Sequence, residues 1–270
     1  MKLNKILRAK TFSLLNFALP KALENFGYTP IRGVSFLYAE GDLPVLLVAH
    51  ADTVHDKLPR QIFFDEKKRV LWSPEGLGAD DRAGIYAILR ILRMGYHPYV
   101  LITDGEEAGC FGAYDAAFSL NPQVRFIIEL DRRGKNDAVY YDCDSPEFEA
   151  YVAKFGFTFA WGSYSDISIL CPEWKIVGVN LSIGYYNEHS LNEYLSLRDL
   201  ENTIKRVKSM LDNIPENTFK YQEIEKWNYE DLEGPEDWEK LEDWENSQDW
   251  ENLRNPESWE NLKKYAEIPI

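Results

Sequence analysis

Gly76-Leu77-Gly78-Ala79-Asp80-Asp81-Arg82-Ala83-Gly84 reads as a tight turn carrying two adjacent acids. It lies between a strand-like run, Arg69 to Trp72, and an apolar helical run, Ile85 to Met94. Its glycines permit positive φ and close backbone approach. An acid at such a turn can offer one carboxylate oxygen to each of two cations, and Asp80 is assigned that bridging role. Taken alone, the same residues also fit an Asx turn capping the following helix, so the choice rests on the rest of the chain.

Around this turn, strand and helix patterns alternate. A helix is expected over Asn4 to Phe26, then a strand at Gly33 to Tyr38, the buried run Pro44 to Ala49, and a hairpin of Ile62 to Phe64 with Val70 to Trp72. Beyond the turn come helix Ile85 to Arg93, strand Tyr99 to Thr103, helix Cys110 to Ser119 and strand Val124 to Leu130. Strand Val139 to Tyr141, helix Ser145 to Phe155, strand Val177 to Ile183 and a long helix, Leu197 to Leu211, complete the pattern. Such alternation predicts an α/β fold, a three-layer sandwich whose mixed, largely parallel central sheet is flanked by helices.

Polar chemistry collects where the strands end, the place at which open α/β sheets bind ligands. Pro44 to Ala49 runs into His50-Ala51-Asp52, Tyr99 to Thr103 into Asp104-Gly105-Glu106-Glu107, Val124 to Leu130 into Asp131, and Val177 to Ile183 leads to His189. Singly, each has an ordinary structural explanation. Together they do not, since two of only four histidines fall in register with strand-end acids. Imidazole and carboxylate without thiolate select zinc, with cobalt or manganese as substitutes, so two zinc ions are expected. Asp52, two residues beyond His50 on an extended chain, is placed to accept the other ring N–H of His50 and fix its tautomer.

Composition limits the alternatives. The chain has 270 residues, 45% hydrophobic, and no run of 18 uninterrupted apolar residues, so a soluble protein without a membrane span is expected. The N-terminal 20 residues read as a helix and not a signal peptide. Three widely spaced cysteines, Cys110, Cys143 and Cys171, suit reduced thiols in a cytoplasm. A net charge of −15 argues against nucleic acid as a ligand. The charge is concentrated: residues 213–270 hold 17 of the 45 acids and 6 of the 30 bases. There Asp237-Trp238-Glu239, Asp243-Trp244-Glu245, Asp249-Trp250-Glu251 and Ser258-Trp259-Glu260 repeat an acidic aromatic unit. A catalytic domain is therefore expected over 1–212, with an acidic, Trp-rich tail over 213–270. The tail is expected to be disordered or loosely packed, and open to a protein partner.

His50-Ala51-Asp52, Gly78-Ala79-Asp80-Asp81-Arg82-Ala83-Gly84, Asp104-Gly105-Glu106-Glu107-Ala108-Gly109, Leu130-Asp131 and Asn187-Glu188-His189-Ser190 form an ordered set. It resembles the cocatalytic zinc exopeptidases, a group of aminopeptidases, dipeptidases, carboxypeptidases and aminoacylases, across most of residues 10–212. The resemblance implies that His50 and Asp131 complete one metal site and Glu107 and His189 the other, with Asp80 shared. It implies Glu106 as general acid/base and a cis peptide between Asp80 and Asp81. Only 30 residues separate His50 from Asp80 and 58 separate Asp131 from His189, too few for an inserted domain. The chain thus looks like the compact single-domain zinc aminopeptidases. Tyr164-Ser165-Asp166-Ile167-Ser168 is similar to their Ser-Asp-His segment, with Ile167 in the place of the histidine.

The function so implied is hydrolysis of peptide or amide bonds. Two ions lower the pKa of a shared water towards about 7, and Glu106 takes its proton and passes it to the leaving amine. An aminopeptidase is the primary reading. A carboxypeptidase, dipeptidase or N-acyl amino acid amidohydrolase would use the same groups, and would give Arg132 and Arg133 a substrate carboxylate to bind. A non-catalytic scaffold of the same fold is the alternative from another class. His55 and His97 are expected to be ordinary loop residues, Tyr185 and Tyr186 either oxyanion donors or packing, and Cys110 a buried thiol.

Overall fold

The computed structural model describes residues 1–141, 143 and 145–223. The chain divides into Met1–Ile224 and Glu225–Ile270. The acidic Trp repeats, and with them the expected looseness of the tail, lie outside the described residues.

In chain order the helices are α1 (Leu3–Leu7), α2 (Thr11–Ser13), which runs through a π-helical turn at Leu14–Ala18 into α3 (Leu19–Glu24), then α4 (Ala79–Arg93), α5 (Phe111–Ser119), α6 (Pro146–Ala153), α7 (Ile167–Trp174) and α8 (Leu197–Asp212). The strands are β1 (Ile31–Arg32), β2 (Phe36–Ala39), β3 (Leu43–His50), β4 (Phe63–Asp65), β5 (Val70–Trp72), β6 (Pro98–Thr103), β7 (Phe126–Arg132), β8 (Asp137–Val139), β9 (Thr158–Phe159), β10 (Gly178–Ser182), β11 (Tyr185–Tyr186) and β12 (Tyr194–Ser196).

Eight strands form the central sheet in the order β1-β2-β6-β3-β7-β10-β8-β9. Its four middle strands, β6, β3, β7 and β10, are parallel. β2 joins β6, and β8 joins β10, antiparallel. From β3 the chain crosses by way of α4 to β6 on one side, then by way of α5 to β7 on the other. The carboxyl ends of β3, β6 and β7 therefore meet at a switch point, where side chains can converge.

Why this sheet is buried on both faces is visible in its alternation. Val45, Leu47 and Ala49 of β3, with Phe126, Ile128 and Leu130 of β7, face a core completed by Ile85, Ile88, Leu89 and Leu92 of α4, Phe148 of α6 and Leu200, Ile204 and Val207 of α8. Leu46, Val48 and Ile127 face the other way, against Ala113, Ala116 and Ala117 of α5 and Ile167 and Leu170 of α7. This is the expected three-layer arrangement. α8 starts on a cap, the Ser196 hydroxyl accepting the Asp199 N–H at 3.3 Å.

Three features differ from expectation. The N-terminal helix is broken at residues 8–10 and widened to π geometry at 14–18. α7 was hidden by Pro172, which breaks most helices and here sits inside one. A second, four-stranded sheet, β11-β12-β5-β4, joins the predicted hairpin to residues over 120 positions away, with Tyr194 opposite Trp72. Past α8 the chain keeps packing, and Phe219 lies among Phe126, Phe148 and Tyr151. Among the described residues no helix is long and apolar enough to cross a membrane. Cys110, Cys143 and Cys171 are all buried.

Candidate metal centre

Register places the first donors. His50, the last residue of β3, pairs with Thr103 at the end of β6, and Asp131 lies near the end of neighbouring β7. Asp80 comes from the turn before the regular part of α4, where its own backbone is not helical and the Asp80–Asp81 peptide is cis, as the resemblance implies. Gly84, one turn on, lets α4 lie against β7: a Cβ there would come within 2.3 Å of the Leu130 carbonyl oxygen.

These residues converge. His50 Nε2 is 3.3 Å from Asp80 Oδ1, 3.4 Å from Asp131 Oδ1 and 3.9 Å from Glu106 Oε2. His189 Nε2 is 3.1 Å from Asp80 Oδ2 and 3.0 Å from Glu107 Oε2. Asp80 thus turns one oxygen to each imidazole. Donor atoms of His50, Glu106 and Asp131 lie within 4.8 Å of one another, and so do those of His50, Asp80 and Glu107. Asp52 Oδ1 stands 3.3 Å from His50 Nδ1. Asp52 has a second task that its sequence position did not reveal: it accepts the backbone N–H groups of Glu106 at 3.3 Å and Glu107 at 3.2 Å, fixing the acid pair.

Asp131 is held on all sides. Tyr185 donates its hydroxyl to the Asp131 carbonyl at 2.8 Å and reaches Oδ1 at 3.2 Å, Ser165 donates to Oδ2 at 3.1 Å, and Asn180 Oδ1 accepts the Asp131 N–H at 3.0 Å. Ser165 thus supports Asp131 from the Ser-Asp segment, while the neighbouring Asp166 accepts the Thr103 hydroxyl. Tyr186 turns elsewhere, to Asp199 at 3.0 Å. His97 stacks on Tyr28 and is structural. Arg82, buried, donates to the carbonyls of Ala51 at 3.2 Å and Leu7 at 2.9 Å, tying α1 beneath the site.

So many acids in one buried place disturb each other. Burial, with the charge of Asp131, pushes Glu106 up to about 9. Burial, with Asp80, pushes Glu107 up to about 7. Asp131 rises to about 7, burial outweighing the pull of His50. Asp80 goes the other way: burial works against it, but the imidazoles of His189 and His50 beside its two oxygens hold it below the usual carboxylate range. His189 is raised to about 9, chiefly by its bond to Asp80. Buried carboxylates of this density keep their charge only beside cations and otherwise take up protons.

The donor set fits metal ions. Both ring nitrogens of His50 and Oε1 of Glu107 are buried without a hydrogen-bond partner. Imidazole nitrogen with carboxylate oxygen suits zinc. The nearby thiol is not a competitor, because burial pushes Cys110 far above the ordinary thiol range, and its Sγ lies 4.0 Å from Glu106 Oε1.

A cavity of about 400 Å³ opens on these groups, lined by Asp80, Glu106, Asp131, Glu188, His189 and the loop from Trp161 to Tyr164, with Arg132 and Arg133 in its wall. Both arginines are engaged. Arg132 donates to the Trp161 carbonyl at 2.9 Å, and Arg133 pairs with Glu188 at 2.8 Å.

No family model matches the chain, and no curated protein matches its sequence. Solved structures do share its fold. A tripeptidase from Staphylococcus aureus is 13% identical with a TM-score of 0.64, the match covering 78% of this chain and 96% of that one. The aminopeptidase PepT from Bacillus cereus is 14% identical with a TM-score of 0.62 over the same shares. An aminopeptidase from the archaeon Desulfurococcus kamchatkensis is 15% identical with a TM-score of 0.62, covering 80% of this chain and 94% of that one. At such identities the likeness is one of fold.

Proposed function

We propose that this chain is a metal-dependent hydrolase of peptide or amide bonds, an aminopeptidase with two zinc ions as its cofactor. One observation carries the reading: Asp80 directs Oδ1 to His50 and Oδ2 to His189, so a single carboxylate joins two imidazole-carboxylate groups. His50, Asp131 and Asp80 would hold one ion, and Asp80, Glu107 and His189 the other. Zinc, when bound, supplies a nucleophilic water at neutral pH and polarises the scissile carbonyl. The fold shared with aminopeptidases and a tripeptidase supports the same reading.

The chain's own residues supply the proton transfers and the positioning. Glu106 takes a proton from the attacking water and delivers it to the departing amine. Burial raises its pKa to about 9, and cations held beside it would favour the ionised form that takes the proton. Asp52 keeps Glu106 and Glu107 at fixed spacing through their N–H groups and faces His50 Nδ1, so that Nε2 offers its lone pair to the site.

Glu188, beside the carboxylates of the centre, offers a substrate ammonium an acidic partner, while Arg133 already pairs with Glu188 and Arg132 with the Trp161 carbonyl; this supports the amine reading. Peptides and aminoacyl anilides with a free N-terminus should therefore be cleaved faster than their N-acetylated forms. A preference for the acetylated forms would move the assignment to an amidohydrolase of N-acyl amino acids or a carboxypeptidase.

A further inference from the structure

Glu193 carries no motif in the sequence, yet it is the most heavily bonded acid beside the centre. Its side chain is fully buried. Oε1 accepts the N–H groups of Ala79 at 2.7 Å and Asp80 at 3.0 Å, and Oε2 accepts the N–H of Gly78 at 2.7 Å. His55 Nε2 lies 2.9 Å from the same Oε2. The ring of His55 fills the space beside Gly76, where a Cβ would come within 2.4 Å of it. Four donors on one buried carboxylate fix its position, as charge-assisted bonds of this kind do.

Where those bonds lead is the point. Glu193 ends the loop that bears His189, and the N–H groups it holds belong to the turn that bears Asp80. One clip therefore joins the two segments whose side chains meet at 3.1 Å, His189 Nε2 and Asp80 Oδ2. The loop has its own left-handed backbone at Asn187 and His189, with φ of 55° and 58°, a conformation uncommon outside glycine that Asn and His adopt more readily than most residues. His189 is also the most exposed of the ligands, its side chain 55% accessible, so packing alone holds it weakly.

We infer that Glu193, oriented by His55, is a positioning residue for the Asp80–Glu107–His189 metal site: it sets the distance between Asp80 and His189 and thereby the affinity of that site, with less effect on the His50–Asp131 site. This rests on the proposed pair of metal sites and assigns a part in them to two residues that bind no metal.

The test is a zinc titration of the full chain against a competing chelator, repeated with cobalt(II) and read by its visible absorption, for wild type, Glu193→Gln, His55→Ala and His189→Ala. His189→Ala marks which binding step belongs to its site. In Glu193→Gln an amide N–H₂ must face at least one backbone N–H, so that step should weaken by about 10- to 100-fold, the range seen when groups behind metal ligands are removed. The other step should change less, and the cobalt spectrum should lose the contribution that His189→Ala loses. His55→Ala should show the same selectivity to a smaller degree, and it decides the matter if Glu193→Gln does not fold. Wild-type affinity for both ions in the folded variants, or equal weakening of both steps, overturns the inference and leaves the metal reading intact. Wild type that binds neither zinc nor cobalt overturns both.

Discussion

Gly84→Ala gives a prediction whose size can be worked from the contact between α4 and β7. A Cβ at residue 84 would stand 2.3 Å from the Leu130 carbonyl oxygen and 2.4 Å from Asp81 Oδ2. Carbon–oxygen contacts settle at about 3.3 Å or more, so α4 and β7 must part by about 1 Å. The obstacle on the β7 side is backbone, which cannot rotate away as a side chain would. Overpacking of this kind costs about 1–3 kcal/mol, and the rigid neighbour puts this case near the upper end. Against it stands the gain of about 1 kcal/mol when alanine replaces glycine in a helix. The net loss is then about 2 kcal/mol, which for a folded unit of this size lowers Tm by about 4–8 °C. The same displacement moves Asp80 on one element away from Asp131 on the other. A misplacement of about 1 Å in a catalytic site costs about 100-fold in rate. Thermal unfolding of the zinc-loaded protein and kcat on an aminoacyl anilide measure both effects. A variant as stable as wild type or more so, with unchanged turnover, would refute the account of how α4 meets the sheet.

Glu106→Gln should keep both metals and lose about 10²- to 10⁴-fold in turnover, because it removes a proton carrier, whereas Asp80→Asn should weaken both metals; metal analysis beside kinetics separates them. The chelated protein should lose stability as pH rises from about 5 to 8.5. Glu107 and Asp131, held near 7, and Glu106, near 9, keep in the folded chain protons that the unfolded chain releases near 4, and His189, near 9, does the same above 6.5. Proton uptake is thus greater in the folded state across that window, which makes the slope negative; a Tm in chelator that rises with pH would contradict it. Truncation after Glu223 should leave folding and small-peptide turnover within a few-fold of the full chain, while truncation before Pro215 should destabilise it by about 1–2 kcal/mol through loss of the half-buried Phe219 from its aromatic cluster. Equal stability of the two truncations would show that Phe219 adds nothing to the core.

Much of this architecture was legible because it is written in local patterns. The buried runs at 44–49 and 124–130 could be placed as strands from their apolar continuity, and the polar residues that follow them could be read as a site because parallel strands end together. The side chains of His50, Asp80, Glu106, Glu107, Asp131 and His189 lie close together in the folded chain. What escaped is long-range and carries no periodicity. Glu193 supports residues 113 to 115 positions away, and nothing around it signals that it accepts backbone N–H groups. His55 reads as a loop histidine until Glu193 is seen opposite it. Asn180 and Tyr185 sit in and after an ordinary apolar strand, and their bonds to Asp131 follow from the pairing of β10 with β7. α7 was masked by Pro172, whose local preference is overridden by the packing of Ile167 and Leu170 beneath the sheet.

The central claim is that Asp80 joins two metal ions used to hydrolyse an amide bond, and its most direct test is the zinc content of the purified chain measured together with its peptidase activity. The account predicts about two zinc ions per chain after equilibration with zinc, loss of aminoacyl anilide hydrolysis on chelation, and its return when zinc is restored. A folded, zinc-equilibrated protein that binds no zinc, or hydrolysis that persists undiminished after the metal has been removed, would contradict it.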